Sequence, residues 1–265
     1  MVLERFRLDD RVAVVTGAGR GIGAASALAL AEAGADVVLA ARTESQLKDV
    51  ATQVERMGRK AVIVAADLSD TDQAAALAQT AADALGRLDV VINNVGGTMP
   101  REFERTNVRA LEDAFHFNVS TAHALTRAAL PHLLASDCAA VVNISSVLSR
   151  VSGRGYLAYG TAKAALSHWT RLAARDLAPR VRVNAVAVGS VATSALEIVT
   201  GDEGLTAQME ASTPLRRIGE PDDIAATVLF LASAAGAYLT GKVLEVDGGI
   251  DQPNLDMGLP DLGEA

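Results

Sequence analysis

The chain has 265 residues and a net charge of −8; half of it is hydrophobic, 3% is aromatic and a single residue, Cys138, is a cysteine. That length holds one large α/β domain or two small ones, and the apolar content suffices for a full core. The acidic balance excludes a nucleic-acid surface and an anionic membrane surface, and a lone cysteine excludes an internal disulfide and fits a reducing compartment.

The N-terminal MVLERFRLDDR is charged and has no apolar signal core, and no apolar run reaches bilayer-spanning length, so a soluble cytoplasmic protein is expected. Val12–Val15 reads as the first strand. Thr16-Gly17-Ala18-Gly19-Arg20-Gly21-Ile22-Gly23 follows at once, then an alanine-rich helix over Ala24–Ala33. Strand, glycine loop and helix are the context of a dinucleotide fingerprint: glycines let the backbone turn tightly and let a pyrophosphate approach the helix N-terminus. Two registers are open, Gly19, Gly21 and Ala24 as G-x-G-x-x-A, or Gly17, Gly21 and Gly23 as G-x-x-x-G-x-G. The plain alternative is an ordinary βα turn.

Val37–Ala41 reads as the second strand. An NAD-type site calls for an acid at its end to bind the ribose 2′-OH. Asp36 stands at the strand's beginning instead, and the end reads Ala40-Ala41-Arg42-Thr43. Arg42, with Arg20 in the glycine loop, suits a 2′-phosphate, so NADP(H) is favoured over NAD(H); solvated surface charge is the alternative for both arginines. A helix over Glu44–Met57 closes at Gly58, and Ala61–Ala66 is the third strand, ending in Asp67-Leu68. Asp67 is suited to accept from an adenine amino group; equally, Asp67 or Ser69 caps the next helix, Asp72–Leu85. Val90–Ile92 is the fourth strand, and Asn93-Asn94-Val95-Gly96-Gly97 after it suits backbone approach to a ligand. Residues 106–135 read as one long helix. Within it, Asn118 either satisfies backbone groups or bends the helix and holds a water. His116, His123, His132 and His168 carry no ligand pattern, so no catalytic metal is expected.

Ala140–Ile144 is the fifth strand and ends in two serines. Gly153 and Gly155 mark a loop, and a helix follows from Tyr156. Tyr159 and Lys163, four apart, share a helical face, and Ser146 at the strand end can meet them. A free phenol, with a pKa of about 10, transfers protons poorly near neutrality, and a nearby ammonium lowers that value. Lys163 and a cationic nicotinamide would supply the shift, while Ser146 holds a carbonyl or alcoholate oxygen in line with Tyr159. A Tyr-x-x-x-Lys pair alone is common on helices, so the rest of the chain decides. Val181–Val188 is the sixth strand, followed by Gly189. Residues 194–213, polar and containing Gly201 and Gly204, are expected to form a mobile substrate lid. Pro221 opens a helix over Asp222–Leu231, Val243–Val246 is the last strand, and the tail 252–265 is expected to be frayed or docked on another subunit.

Seven strands alternating with helices predict an α/β fold over 1–265: a single doubly wound Rossmann domain with a seven-stranded parallel sheet and helices on both faces. Every marked loop then falls at a strand's C-terminal end, where open parallel sheets bind ligands. Over about residues 8–250 the sequence resembles the short-chain dehydrogenase/reductase family: Thr16-Gly17-x-x-x-Gly21-x-Gly23 looks like its cofactor motif, Asn93-Asn94-x-Gly96 its fourth-strand motif, and Asn118, Ser146, Tyr159 and Lys163 its catalytic tetrad. The resemblance implies Tyr159 as acid/base, Ser146 orienting the substrate oxygen, and Lys163 lowering the phenol pKa and holding the nicotinamide ribose. Asn118 would position a relay water. The implied cofactor contacts are Gly17, Arg20, Gly21, Ile22, Gly23, Arg42, Thr43, Asp67, Leu68, Asn94, Val95, Gly96, Tyr159, Lys163, Gly189, Val191 and Thr193. It also implies a homotetramer or homodimer paired through the helices holding Asn118 and Tyr159.

Two departures stand out: Val95 replaces the usual alanine, and Val188-Gly189 replaces Pro-Gly. The expected activity is NADP(H)-dependent interconversion of a small ketone and a secondary alcohol. One rival is a non-catalytic dinucleotide-binding regulator, which usually lacks the Tyr-x-x-x-Lys pair. Another is a lyase or dehalogenase on the same fold, which usually has a blocked glycine loop.

Overall fold

The computed structural model describes residues 1–193, 196, 201–255 and 259. The strands are β1 (Val12–Thr16), β2 (Asp36–Ala41), β3 (Ala61–Ala65), β4 (Val90–Asn93), β5 (Ala140–Ser146), β6 (Arg182–Val188) and β7 (Val243–Val246). They form one sheet in the order β3-β2-β1-β4-β5-β6-β7, every pair parallel. The helices are α1 (Gly21–Glu32), α2 (Glu44–Arg56), α3 (Thr71–Leu85), α4 (Val108–Phe115), α5 (Thr121–Leu134), α6 (Leu157–Leu177), α7 (Glu203–Ala211) and α8 (Pro221–Ala232). The sheet is the doubly wound seven-stranded arrangement expected. Its strand order reverses between β1 and β4, which opens a crevice at their C-terminal ends.

The apolar runs are continuous because the central strands are covered on both sides. Ala13 and Val15 face one core layer with Ala27, Leu30, Leu47 and Val228 from α1, α2 and α8. Val12 and Val14 face the other with Leu77, Leu125 and Leu133 from α3 and α5. Polar groups inside are paired. Asn93 donates to Asn143 (2.8 Å) and Thr126 (3.1 Å), and Asn143 donates to Thr170 (2.9 Å), so β4 and β5 are fastened to α5 and α6. Ser26 of α1 breaks this rule: it is wholly buried, and its Oγ has no hydrogen-bond partner among the described residues. Ser26→Ala removes an unsatisfied hydroxyl, so stability should rise by about 1 kcal/mol, or about 2 °C in Tm. A fall in Tm would mean that the hydroxyl is satisfied.

Several boundaries differ from expectation for local reasons. β5 runs on through Ser145 and Ser146, because both continue the ladder opposite Ala187 and Val188 of β6. α1 starts at Gly21 rather than Ala24, despite the poor propensity of its glycines. The helix expected over 106–135 is two α-helices joined by a π-turn, His116–Ser120. There the Asn118 amide donates to the Ala114 carbonyl (2.8 Å) and widens the turn. The cap of α3 is Asp70, which accepts from the amides of Asp72 and Gln73, and neither Asp67 nor Ser69.

Part of the lid expected over 194–213 lies outside the described residues; the described part contains α7, with Met209 buried. Residues 256–258 and 260–265 of the tail also lie outside them. The described part of the tail docks on its own chain: Asn254 is buried and bonded to Ser190 and Thr213. Among the described residues no helix is long and apolar enough to cross a membrane, and no three His, Cys, Asp or Glu side chains gather as a metal site.

Candidate functional site

The crevice is built first from glycines. Gly17 and Gly21 have φ of +67° and +55°, the left-handed region that glycine enters without strain. A Cβ on Gly23 would stand 2.2 Å from the Gly17 carbonyl oxygen, so only glycine lets α1 begin this close to the loop feeding it. Arg20 is the N-cap and makes no side-chain cap bond, so no capping side chain competes for the first amides of α1, which together with the helix dipole favour an anion. The loop after β6 reaches the same place: a Cβ on Gly21 would lie 3.2 Å from Thr193 Cγ2. Val191 in that loop is buried and bridges to Gly219, and the Gly189 amide donates to Val246.

Asn94 turns inward. Its Nδ2 donates to the carbonyl oxygens of Thr16 (2.9 Å) and Gly17 (3.4 Å), while the amides of Asn94 and Val95 donate to Thr16 Oγ1 (2.9 and 3.1 Å). These bonds fasten the ends of β1 and β4 together and shape the glycine turn. Thr16, which the sequence marks as the opening residue of the glycine motif, matters as much as the asparagine here.

Arg20 and Arg42 are exposed and hold no ion pair among the described residues. Gln46, at the start of α2, borders Gly19. Asp36 is tied off at the far end of β2 by Arg59 at 2.8 Å. Asp67 keeps one oxygen on Ser69, accepting from its amide (3.0 Å) and hydroxyl (2.8 Å). Those bonds, together with the Arg42 charge, hold its carboxyl below the usual range. Ile22 is half-buried, Leu68 buried and Thr43 exposed at the N-cap of α2.

On the other side of the crevice stand Ser146 at the end of β5 and Tyr159 and Lys163 on α6. Lys163 is buried, and its Nζ donates to the Ile144 carbonyl oxygen at 2.8 Å. The same ammonium lies 5.7 Å from the centroid of the Tyr159 ring. α6 is held to β5 beneath them by Ser145, which bonds Ser167 (2.7 Å) and the Lys163 carbonyl (3.2 Å). Gly96 fits into the gap: a Cβ there would meet Asn118 Oδ1 at 2.6 Å and Lys163 Nζ at 2.7 Å. Asn118 and Gly97 pair in both directions, with the Gly97 amide donating to Oδ1 (2.9 Å) and Nδ2 donating to the Gly97 carbonyl (3.2 Å). The π-turn therefore aims Asn118 at the loop after β4.

Burial pulls the Lys163 ammonium down to about 8. Burial pushes the Tyr159 phenol up, opposed by a hydrogen bond from Ser146. The lowering of the phenol expected from Lys163 is not seen: burial and the neighbouring Tyr156 raise the phenol, Ser146 lowers it, and the Lys163 ammonium donates to the Ile144 carbonyl instead. Chemically, the rim presents one hydroxyl, one phenol and one ammonium, joined to the glycine turn by the loop after β4, which touches Gly17 through Asn94 and lies against Lys163 at Gly96. The glycine turn, the amides of α1 and the overhanging Thr193 make a cradle that fits a dinucleotide pyrophosphate.

The chain matches the family model described as enoyl-(acyl carrier protein) reductase over residues 17–251. It is 60% identical to an uncharacterized oxidoreductase of Mycobacterium tuberculosis (strain CDC 1551 / Oshkosh), across 99% of this chain and all of that protein. It is 33% identical to the 7α-hydroxysteroid dehydrogenase of Escherichia coli (strain K12), across 93% and 96% of the two chains. Among solved structures it superposes on a 7α-hydroxysteroid dehydrogenase complexed with NADH and 7-oxo glycochenodeoxycholic acid, with a TM-score of 0.89, 33% identity and 93% and 96% coverage. It also superposes on the Pseudomonas aeruginosa RhlG/NADP active-site complex, with a TM-score of 0.86, 36% identity and 93% and 98% coverage. Matched from the glycine turn to the end of the sheet, the chain belongs to the short-chain dehydrogenase/reductase family.

Proposed function

We propose that this single-domain oxidoreductase interconverts a secondary alcohol and a ketone with a nicotinamide dinucleotide, preferring NADP(H) to NAD(H), in the cytoplasm. The observation that carries the reading is the meeting of Ser146, Tyr159 and Lys163 at the rim, which the loop after β4 joins to the Gly17–Gly23 turn. Neighbours solved with NADH and with NADP support a dinucleotide in that turn.

When bound, the nicotinamide supplies the hydride acceptor or donor. The protein supplies the proton and the geometry. Tyr159 gives a proton to the carbonyl oxygen in reduction and takes it from the hydroxyl in oxidation. Ser146 donates to the same oxygen and fixes it in line. Lys163 holds the nicotinamide ribose with its Nζ beside the Tyr159 ring, and Asn118 positions the relay water. Gly17, Gly21, Ile22 and Gly23 take the pyrophosphate, with Val191 and Thr193 closing over it, while Asp67 and Leu68 border the adenine. Arg42, beside Thr43 and assisted by Arg20, takes the 2′-phosphate. Val108, Phe115, Leu157 and Leu172 are exposed on α4 and α6, an apolar surface that supports self-association through these helices into a dimer or tetramer.

A panel of ketones and secondary alcohols, read by NADPH and NADH absorbance, tests the activity. Turnover of none, with the dinucleotide still bound, would favour the regulatory reading. Arg42→Ala should weaken NADPH by ~1.5–3 kcal/mol, roughly 10- to 100-fold in Kd, and leave NADH within about 3-fold. Equal losses for both would remove the 2′-phosphate from Arg42.

A further inference from the structure

After β7, the residues around Ile250 and the single residue Leu259 are each tied to the loop after β5. At the first of these Arg150 donates to the Ile250 carbonyl (2.7 Å) and pairs with Glu245 (2.7 Å) and Asp247 (3.3 Å), while buried Ile250 packs on Val147, Val151 and Leu148. At the second Arg154 donates to the Leu259 carbonyl (2.8 Å). The Leu259 side chain covers Gly155 closely enough that a Cβ there would stand 2.7 Å from Leu259 Cδ1 and 3.4 Å from Pro100 Cβ. Between them in sequence, Asn254 is 9% exposed. It donates to Thr213 Oγ1 (3.0 Å) and exchanges bonds with the Ser190 hydroxyl (3.0 and 3.1 Å).

This placement joins three segments at one amide. Ser190 lies in the loop between Gly189 and Val191, whose backbone is held on its other side by Gly219, donating to the Ser190 carbonyl at 2.9 Å. Thr213 lies just beyond α7. Leu259 and Pro100 both lie against Gly155, which is next in sequence to Tyr156, and the Tyr156 ring is 6.5 Å from that of Tyr159. We infer that Asn254 is a positioning residue: it seats the C-terminal segment on its own chain as the apolar outer wall of the substrate mouth and couples that seat to the nucleotide loop. The inference rests on the dinucleotide reading above. It assigns the substrate class as alcohols and ketones carrying an alkyl chain or saturated ring, which Leu259, Pro100 and Tyr156 desolvate, over small polar ones.

The test combines hydrogen exchange of residues 250–255, NADP⁺ affinity and alcohol preference in the full chain. Without nucleotide, Asn254→Ala should speed exchange in this segment by about 10-fold. Ser190→Ala should do much of the same, and the double variant should be clearly less than additive. NADP⁺ should slow exchange there in the parent chain and fail to do so in Asn254→Ala, whose Kd for NADP⁺ should rise about 3- to 10-fold. Leu259→Ala should keep the NADP⁺ Kd while kcat/KM for 2-octanol falls at least ~5-fold relative to that for 2-propanol, the value of a few lost methyl contacts. Unchanged exchange in Asn254→Ala, additive effects with Ser190→Ala, a loosened seat with unaltered nucleotide affinity, or an unchanged preference in Leu259→Ala would each overturn the inference. A parent chain that binds no dinucleotide would sink the functional proposal instead, since exchange measured without nucleotide still reads the seat.

Discussion

Tyr159→Phe should lower kcat about 10³-fold while the dinucleotide Kd moves less than about 3-fold, within the range that a positioned proton donor contributes. The substitution keeps the ring that lies 5.7 Å from Lys163 Nζ and 6.5 Å from the Tyr156 ring, so it removes a proton and little else. Direction also has a sign. Burial raises the phenol above its usual value of 10, and the Ser146 bond only partly opposes this. At neutral pH the residue is therefore a protonated donor, ready for reduction of a carbonyl. Oxidation of an alcohol needs the phenolate, so its rate should climb as pH rises through the alkaline range, while the reductive rate stays level until the phenol itself ionises. Stopped assays in both directions on the parent chain and the variant check this. Activity within about 10-fold of the parent, or an unchanged pH slope for alcohol oxidation in the variant, would take the proton role away from Tyr159.

The sheet was legible because parallel strands buried on both faces are written as unbroken apolar runs, and punctuation by glycine after β1, β4 and β6 marked the ligand-facing rim. The Tyr-x-x-x-Lys spacing is a statement about one helical face and survives any uncertainty over where α6 begins. What was not legible depends on partners distant in sequence. Thr16 reads as the opening of the glycine motif, and its part as an acceptor shows only when Asn94, 78 residues on, donates into it. Asn254 reads as part of a tail until its partners, 41 and 64 residues away, are brought to it. Competition between local bonds leaves alternatives open in the sequence for another reason. Asn118 and Asp70 each offer a side chain to the backbone, and whether that bends a helix or starts one depends on which amide or carbonyl the tertiary fold leaves unpaired. The electrostatics of the rim are not legible either: a sequence shows that a lysine follows a tyrosine by four residues, but not the balance of burial and hydrogen bonding that governs each group.

That balance makes Lys163 a measurable strain on the fold. Its pKa is 10.5 in the open and about 8 in place, and burial is the cause. A lysine whose folded value is depressed destabilises the native state wherever the side chain is charged in both states, that is, below about 8. Between about 8 and 10.5 the unfolded chain still binds the proton that the folded chain has released, so stability rises with pH across this window. The full shift corresponds to about 3 kcal/mol. Lys163→Met has nothing to titrate there. The stability of the parent chain minus that of the variant, from denaturant unfolding without added nucleotide, should therefore increase from pH 7 to pH 10 by roughly 1–3 kcal/mol. At pH 7 the relief of the buried charge is set against the loss of the donor to the Ile144 carbonyl, itself worth ~1–3 kcal/mol, so Tm should move little while turnover is lost. That pair of results would mark Lys163 as held for its charge at the rim and not for the fold. A stability difference that is flat or falls with pH would mean that the ammonium is hydrated in the folded protein, and its proposed role beside the phenol would then lose its electrostatic basis.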